Sequence, residues 1–485
     1  MQSIGKRRVP ELGVTQASVD AAMAAVRIAL ASSSWKERGS AVRKACRALL
    51  SLVISALFLS PPNASCASPT GESPPARVAG EAASDGDLHL KDRITVWAVD
   101  GLELPVVQET IRKFNQQQPP HPAELLTSIH RDYEDRVKNA AAAGNLPCVL
   151  HIDGPFLAEF AWPGYLRPLE DFIPQELLND LRPTIVGQAR YGSHLYGLAP
   201  YDNGLGLFAN RQYLRAAGVR IPTIERPWTL QEFESALRKL ASTPGVEYPL
   251  TMDLFTAARD SFARQLAPIL QGFGGDLIDR KTLRSAKGIL DGPASVVAMR
   301  RLQYWLKQGW TRDVNNEDFR TRKAALAWGS NGMYLGSRTA LGDDLVVMPL
   351  PDFGNGIKVG NGSWGWAISS TCPHAKEAWR FIEMMMSPEA VVRMSNANGG
   401  VPARKSALAL APLYAGQGPL SVLARQLDAG FAVPRPTTPA YGTISSAFFD
   451  AVRGIVAGGE PQAELSKAAL KIDQEIGLHR GYPFP

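Results

Sequence analysis

The sequence predicts an α/β protein of two lobes, each a mainly parallel sheet flanked by helices. Three observations carry this expectation. Residues 93–153 alternate strand, helix, strand, helix, strand with short loops, a pattern that requires crossover helices and parallel strands. A second alternating block of helices and apolar runs extends from Leu205 to Pro349. Between them lies the joint Leu198–Leu214. A Pro/Gly-interrupted loop, Pro200 to Gly204, turns there into a strand-like apolar run, Leu205 to Ala209, and then into a short helix capped by Asn210.

The 485 residues suffice for two or three cores, and 45% hydrophobic with 20% charged content is that of a soluble globular chain. Of 52 basic and 46 acidic residues, nine and three fall within residues 1–67. That segment carries the whole net charge of +6, so the rest is neutral and charge gives no case for a nucleic-acid partner. Residues 43–67 read as an export signal. Arg43, Lys44 and Arg47 precede an apolar core, Ala48 to Ser60, which Pro61-Pro62 ends and small residues follow. Ser65 and Ala67 suit cleavage after Ala67; the alternative is a lipid anchor on Cys66, although Asn63 stands where a lipoprotein box wants an aliphatic residue. Residues 1–40 lack clear patterning, and Val42 is a candidate true initiator.

Residues 68–92, rich in Pro, Gly, Ser and Ala, read as a flexible tether. Ile94 to Val99 is then a strand, closed by Asp100-Gly101. Leu104 to Gln118 is an amphipathic helix with Val107, Ile111 and Phe114 on one face, ended by Pro119-Pro120. Ala123 to Ile129 is a strand, Tyr133 to Ala143 a helix, and Cys148 to Ile152 a strand closed by Asp153-Gly154. Ligands of such sheets sit beyond the carboxyl ends of the strands. Asp100 and Asp153 both stand there. Further on, Thr229 and Glu232 form a capping box, and Ala294 to Gln308 and Ile444 to Ala457 are helical. There is no CxxC, no HExxH and no His/Cys cluster in sequence, so neither a metal site nor a cofactor is expected. Outside the leader only Cys148 and Cys372 remain, and an oxidising compartment allows them to pair.

In order, Ile94-Thr-Val-Trp97, Pro147 to Asp153, Tyr196 to Asn210, Lys323-Ala-Ala-Leu326 with Gly329, Met348-Pro-Leu-Pro351, Gly362 to Ser370, Ala378 to Glu383, Ser387 to Ala390, Gly400 to Arg404 and Ser446 to Arg453 resemble segments of a known family. It is that of the bacterial extracellular solute-binding proteins of carbohydrate-uptake ABC transporters, of the maltose-binding type. The resemblance implies the two-lobed periplasmic-binding-protein fold (type II). It also implies a monomer that binds a small carbohydrate between the lobes, closes by a hinge motion and docks on a membrane permease, without enzymatic activity. It divides the chain into 1–67 (extension and signal), 68–92 (tether), 93–202 (lobe 1), 203–362 (lobe 2), 363–415 (return to lobe 1) and 416–485 (C-terminal helices of lobe 2).

Sugars are held by flat aromatic faces and by carboxylates, amides and guanidiniums that meet their hydroxyls. Positions matching the family's site supply Asp100, Gly101, Asp153 and Trp364 on lobe 1, and Tyr201, Asp202 and Asn203 at the hinge. Lobe 2 supplies Phe262, Arg264, Trp328, Asn331 and Tyr334, with Tyr441 and Phe449 from the C-terminal part. Gly154, Gly204 and Leu102 depart from the maltose-binding pattern, each at the loss of a polar side chain, so maltodextrin specificity does not carry over. Cys148 and Cys372 are expected to pair in lobe 1, away from the cleft. Two other readings compete. One is an exported glycan-acting enzyme with Asp153 and Asp202 as its acid pair; the other is a binding module that feeds a sensor.

Overall fold

The computed structural model describes residues 92–483, apart from 129, 253–258 and 314–316. The expectations for the leader, for Cys66 and for the tether up to residue 91 lie outside the described residues. The first block is β1 (Ile94–Val99), β2 (Ala123–Ser128) and β3 (Val149–Asp153), joined through helices Leu104–Gln116 and His130–Ala142. A hairpin of β4 (Arg190–Tyr191) and β5 (His194–Leu195) leads to β6 (Gly197–Leu198) and β7 (Tyr201–Asp202). The second block holds β8 (Leu205–Asn210), β9 (Tyr248–Met252), β10 (Thr311–Asp313), β11 (Ala324–Ser330) and β12 (Leu345–Met348). After it come β13 (Val359–Gly360), β14 (Trp364–Ile368), β15 (Val401–Pro402) and β16 (Ala432–Val433).

Two five-stranded sheets result, ordered β2-β1-β3-β14-β6 in lobe 1 and β10-β9-β11-β8-β12 in lobe 2. In each, one strand runs against the rest: β14 is antiparallel to β3 and β6, and β8 to β11 and β12. The reason is topological. Strands β6 and β12 run toward the cleft and leave their sheets there. The chain then enters the other sheet from its cleft edge, so its first strand there must run backwards.

Local chemistry explains the elements. Helix Leu104–Gln116 buries Val107, Ile111 and Phe114, spaced i, i+4, i+7, against the lobe 1 sheet. All six residues of β8 are buried, as the apolar run Leu205 to Ala209 requires of the first five. Asn210 caps the next helix by accepting from Gln212 N at 3.0 Å. The Thr229/Glu232 capping box closes both ways. Lobe 1 packs around Val96, Phe114, Trp366 and Phe381, and lobe 2 around Phe233, Leu250, Trp305 and Phe448. Cys148, just before β3, is bonded to Cys372, just after β14, at the end of the lobe 1 sheet away from the cleft. Among the described residues no helix is long and apolar enough to cross a membrane.

Candidate functional site

Two chain crossings form the floor of the cleft, Ala199–Gly204 and Asn361–Ser363, and Asp202 ties them together. Its fully buried carboxylate accepts from Gly362 N at 2.8 Å, from Asn361 Nδ2 at 3.2 Å and from Asn203 N at 2.9 Å. Asn203 Nδ2 donates to Gly362 O, and Ser363 Oγ to Tyr201 O. Gln188 completes the floor, accepting from Ser363 N at 3.0 Å and donating to Ser363 Oγ at 3.2 Å. Gly362 has φ +119°, and a Cβ there would stand 2.4 Å from Arg435 Nη2, so only glycine fits.

Above this floor the lobes meet. Asp153, the last residue of β3, receives two hydrogen bonds from Arg435, Nη1 to Oδ2 at 2.7 Å and Nη2 to Oδ1 at 2.6 Å. Arg435 follows β16, which is paired to β13; Gly360 of β13 lies directly on the backbone of Arg264 in lobe 2. The guanidinium also lies 5.8 Å from the ring centre of Tyr441, which makes an edge contact at 5.3 Å with Phe156 of lobe 1. A cavity of about 10 Å³ beside the pair is bounded by Pro155, Gln188, Asn361, Gly362, Arg435 and Thr437. At the rim, Trp162 Nε1 of lobe 1 donates to Pro483 O at 2.9 Å. The cleft is thus closed in this structure. A wider hollow of about 300 Å³ between Gly274 and Ala294 has both its acids engaged, Asp276 by Arg280 and Asp279 by Lys281 N and Thr282 Oγ1, and it offers no aromatic wall for a sugar.

Tyr201 is buried, and its hydroxyl donates to Glu103 Oε1 at 3.1 Å. Burial, and then the charges of Glu103 and Asp153, hold the phenol well above its usual pKa; the Arg264 guanidinium opposes them. Glu103, Tyr201, Asp153, Arg264 and Arg435 therefore share one electrostatic environment. Trp364 on β14 is the register partner of Asp153 on β3 and packs edge-on to Tyr133 at 5.7 Å.

The other sequence-predicted residues fall elsewhere. Asp100 and Gly101 are exposed at the end of β1. Phe262 is fully buried against Phe448 and Phe449, with ring centres 5.7 and 5.0 Å away. Trp328 is buried, stacks on Phe353 and donates from Nε1 to Gln265 O at 2.9 Å. Asn331 accepts from Gly204 N at 3.1 Å and donates to Asn398 O at 3.2 Å, so it braces the crossing. Tyr334 is buried under the first turn of helix Tyr334–Leu341, and burial raises its pKa. Sequence reasoning missed Glu103, Gln188, Asn361, Ser363 and Arg435. Arg435 had a readable signal, a cation in the proline-interrupted loop directly before Tyr441.

Steric reasons account for two of the departures from the maltose-binding pattern. A Cβ at Gly204 would lie 2.8 Å from Leu423 Cβ, and one at Gly154 would lie 2.8 Å from Gln188 Oε1. Leu102 is 62% exposed and reaches no partner group in the cleft floor.

This arrangement defines a two-lobed solute-binding protein. Residues 109–416 match the family of bacterial extracellular solute-binding proteins, and the chain belongs to that family. It is similar to a lipoprotein from the oleD 5′ region of Streptomyces antibioticus, 26% identical over 67% of this chain and 73% of that protein. It is also similar to the maltotriose-binding protein of Pyrococcus abyssi, 22% identical over 64% of this chain and 66% of that protein. Among solved structures, the sugar-binding protein MalE of Xanthomonas citri superposes with a TM-score of 0.68 at 21% identity, over 80% of this chain and 98% of that one.

Proposed function

We propose that the protein binds a sugar, a mono- or oligosaccharide, in its cleft outside the cytoplasm and delivers it to the permease of an ABC transporter. The Asp153–Arg435 pair carries this reading. A carboxylate from one lobe and a guanidinium from the other form the acceptor and donor sets that vicinal hydroxyls need. Trp364 and Tyr441 lie alongside as apolar faces for the ring. Bound sugar hydroxyls would take the place each charge now gives the other. Of the residues matched to the family's site, we assign Asp153, Trp364, Tyr441 and Arg264 to sugar contact, and Asp202, Asn203 and Asn331 to holding the crossings. Asp100 and Gly101 line the approach, Tyr201 stands buried beside Asp153, and Tyr334, Phe262, Trp328 and Phe449 support the site from the core.

We assign 93–202 and 363–415 to lobe 1 and 203–362 and 416–485 to lobe 2, with closure about the two crossings. The family is one of binding proteins, not of enzymes, and Asp202 is committed to the crossings, so a hydrolytic acid pair lacks its second member. The protein acts as an exported monomer without a cofactor. Lipid attachment through Cys66 is a second reading, supported by the lipoprotein relative.

The test is a thermal-shift screen against mono- and disaccharides and maltodextrins, with the sugars recovered afterwards. One or two sugars should raise the melting temperature by mass action and come back unchanged. Steady product formation, or no shift with any sugar, would overturn the reading.

A further inference from the structure

We propose that His121, His374 and Glu377 form a binding site for one divalent transition-metal ion of the zinc class, at the end of lobe 1 remote from the cleft. One ligand atom from each side chain falls within 4.8 Å of the others. His121 Nδ1 is buried and has no hydrogen-bond partner among the described residues. Glu377 Oε1 lies 3.6 Å from it. That separation is too long for a hydrogen bond. It suits two donors on a shared ion, since zinc bonds of about 2.0–2.2 Å at a tetrahedral angle place donor atoms about 3.4 Å apart.

His374 supplies the third ligand by turning. Its ring now stacks on His121, centroids 3.4 Å apart and 19° from parallel. An ion in the plane of one ring at that spacing lies off the plane of the other, so the His374 imidazole rotates out of the stack when metal enters. The three backbones are already constrained. Pro120 and Pro122 flank His121. His374 precedes helix Ala375–Met385, two residues after the bonded Cys372, and Glu377 lies in the first turn of that helix. The His121 and Glu377 side chains are 28% and 21% exposed, open enough for an ion to enter. Two imidazoles and one carboxylate favour zinc, nickel, cobalt or copper over magnesium or calcium. In sequence, His121 lies far from the other two ligands, so no spacing motif announces the set.

The test uses mature protein purified without a histidine tag, stripped with chelator and titrated with zinc chloride in a calorimeter at about pH 7.5. One ion should bind per chain, and zinc should raise the melting temperature. Loss of an outer-shell partner weakens metal sites about 10–100-fold; losing a ligand directly, as in His121→Ala, His374→Ala or Glu377→Gln, should cost at least that much affinity. Variants His194→Ala and His479→Ala, which break the exposed pairs with Glu170 and Glu475, should bind as wild type does. Circular dichroism checks that each variant folds. No uptake by the wild type at about 100 µM zinc, outside any useful range for a three-ligand site, would overturn the proposal. So would unchanged affinity in a folded His121→Ala or Glu377→Gln variant, or loss only in His194→Ala or His479→Ala.

Discussion

Asp153 and Arg435 face each other across the cleft through two parallel hydrogen bonds, with side chains 3% and 5% exposed. A buried pair of this kind contributes little net stability, yet removing one partner costs about 3–5 kcal/mol because the other charge is stranded. Here the protein has a way out, because parting the lobes returns Asp153 to water. Arg435→Met should therefore stay folded and open. Small-angle scattering should show a larger radius of gyration for ligand-free Arg435→Met than for wild type. The double variant Asp153→Asn/Arg435→Met, with no charge to strand, should return toward the wild-type value. An unchanged radius in the single variant would show that an Asp153 without Arg435 does not open the cleft.

Gly204 is one of the three positions at which the resemblance places a departure, and Leu423 leaves no room for a side chain there. Helix Ser421–Asp428 brings Leu423 Cβ to 2.8 Å from where a Cβ of residue 204 would stand. Gly204→Asp should lose about 1–3 kcal/mol through overpacking, read by urea denaturation. In a Leu423→Gly background, which lacks that Cβ, Gly204→Asp should cost less than it does in the wild type. Equal stability of wild type and Gly204→Asp would refute the packing account.

These two relationships also mark what the sequence could and could not reveal. Strands β1, β3 and β8 are short, mostly apolar segments, and the Asn210 cap and Thr229/Glu232 box act over two or three residues, so each was legible locally. The reversed direction of β8 and β14 follows from where the chain crosses, which no local pattern encodes. In the triplet Tyr201-Asp202-Asn203, composition pointed to a ligand. The partners of Asp202 are instead Asn361 and Gly362, some 160 residues later, and the crossing geometry selects them. Phe262 and Trp328 are aromatic residues on elements with two faces, and spacing does not say which face meets the cleft. Arg435 and Asp153 are 282 residues apart, and closure alone brings them together.

The disulfide Cys148–Cys372 joins the start of β3 to the end of its neighbour β14 and closes a loop with a sequence separation of 224. Such a cross-link chiefly restricts the unfolded chain, and losing a native one typically costs about 2–5 kcal/mol. Cys148→Ser/Cys372→Ser should unfold at lower guanidinium concentration by that margin with its sugar binding intact, because the bond lies away from the cleft. Thiol titration of the unfolded, unreduced mature protein should find neither cysteine free. Two titratable thiols would refute the bond.

Asp180 gives the protein a defined acid sensitivity. At the end of helix Gln175–Asp180 it receives Ser406 N at 2.9 Å, Ser406 Oγ at 2.5 Å and Arg404 Nε at 2.6 Å, and so pins the segment after β15 to lobe 1. Burial pushes its pKa up, but the hydrogen bonds from Ser406 and Arg404 and the guanidinium charge outweigh it, leaving the carboxyl below its ordinary value of 3.8. A carboxylate depressed in the folded state binds its proton more readily once unfolded. Its stabilisation is therefore fully present above the ordinary value and is lost as pH falls through the lowered one. Asp180→Asn cannot ionise and lacks this contribution at every pH. Urea titrations should show wild type more stable than Asp180→Asn at about pH 7 and pH 5, with the gap shrinking below about pH 4. A gap that stays constant down to about pH 3 would mean that the carboxylate's charge contributes nothing there.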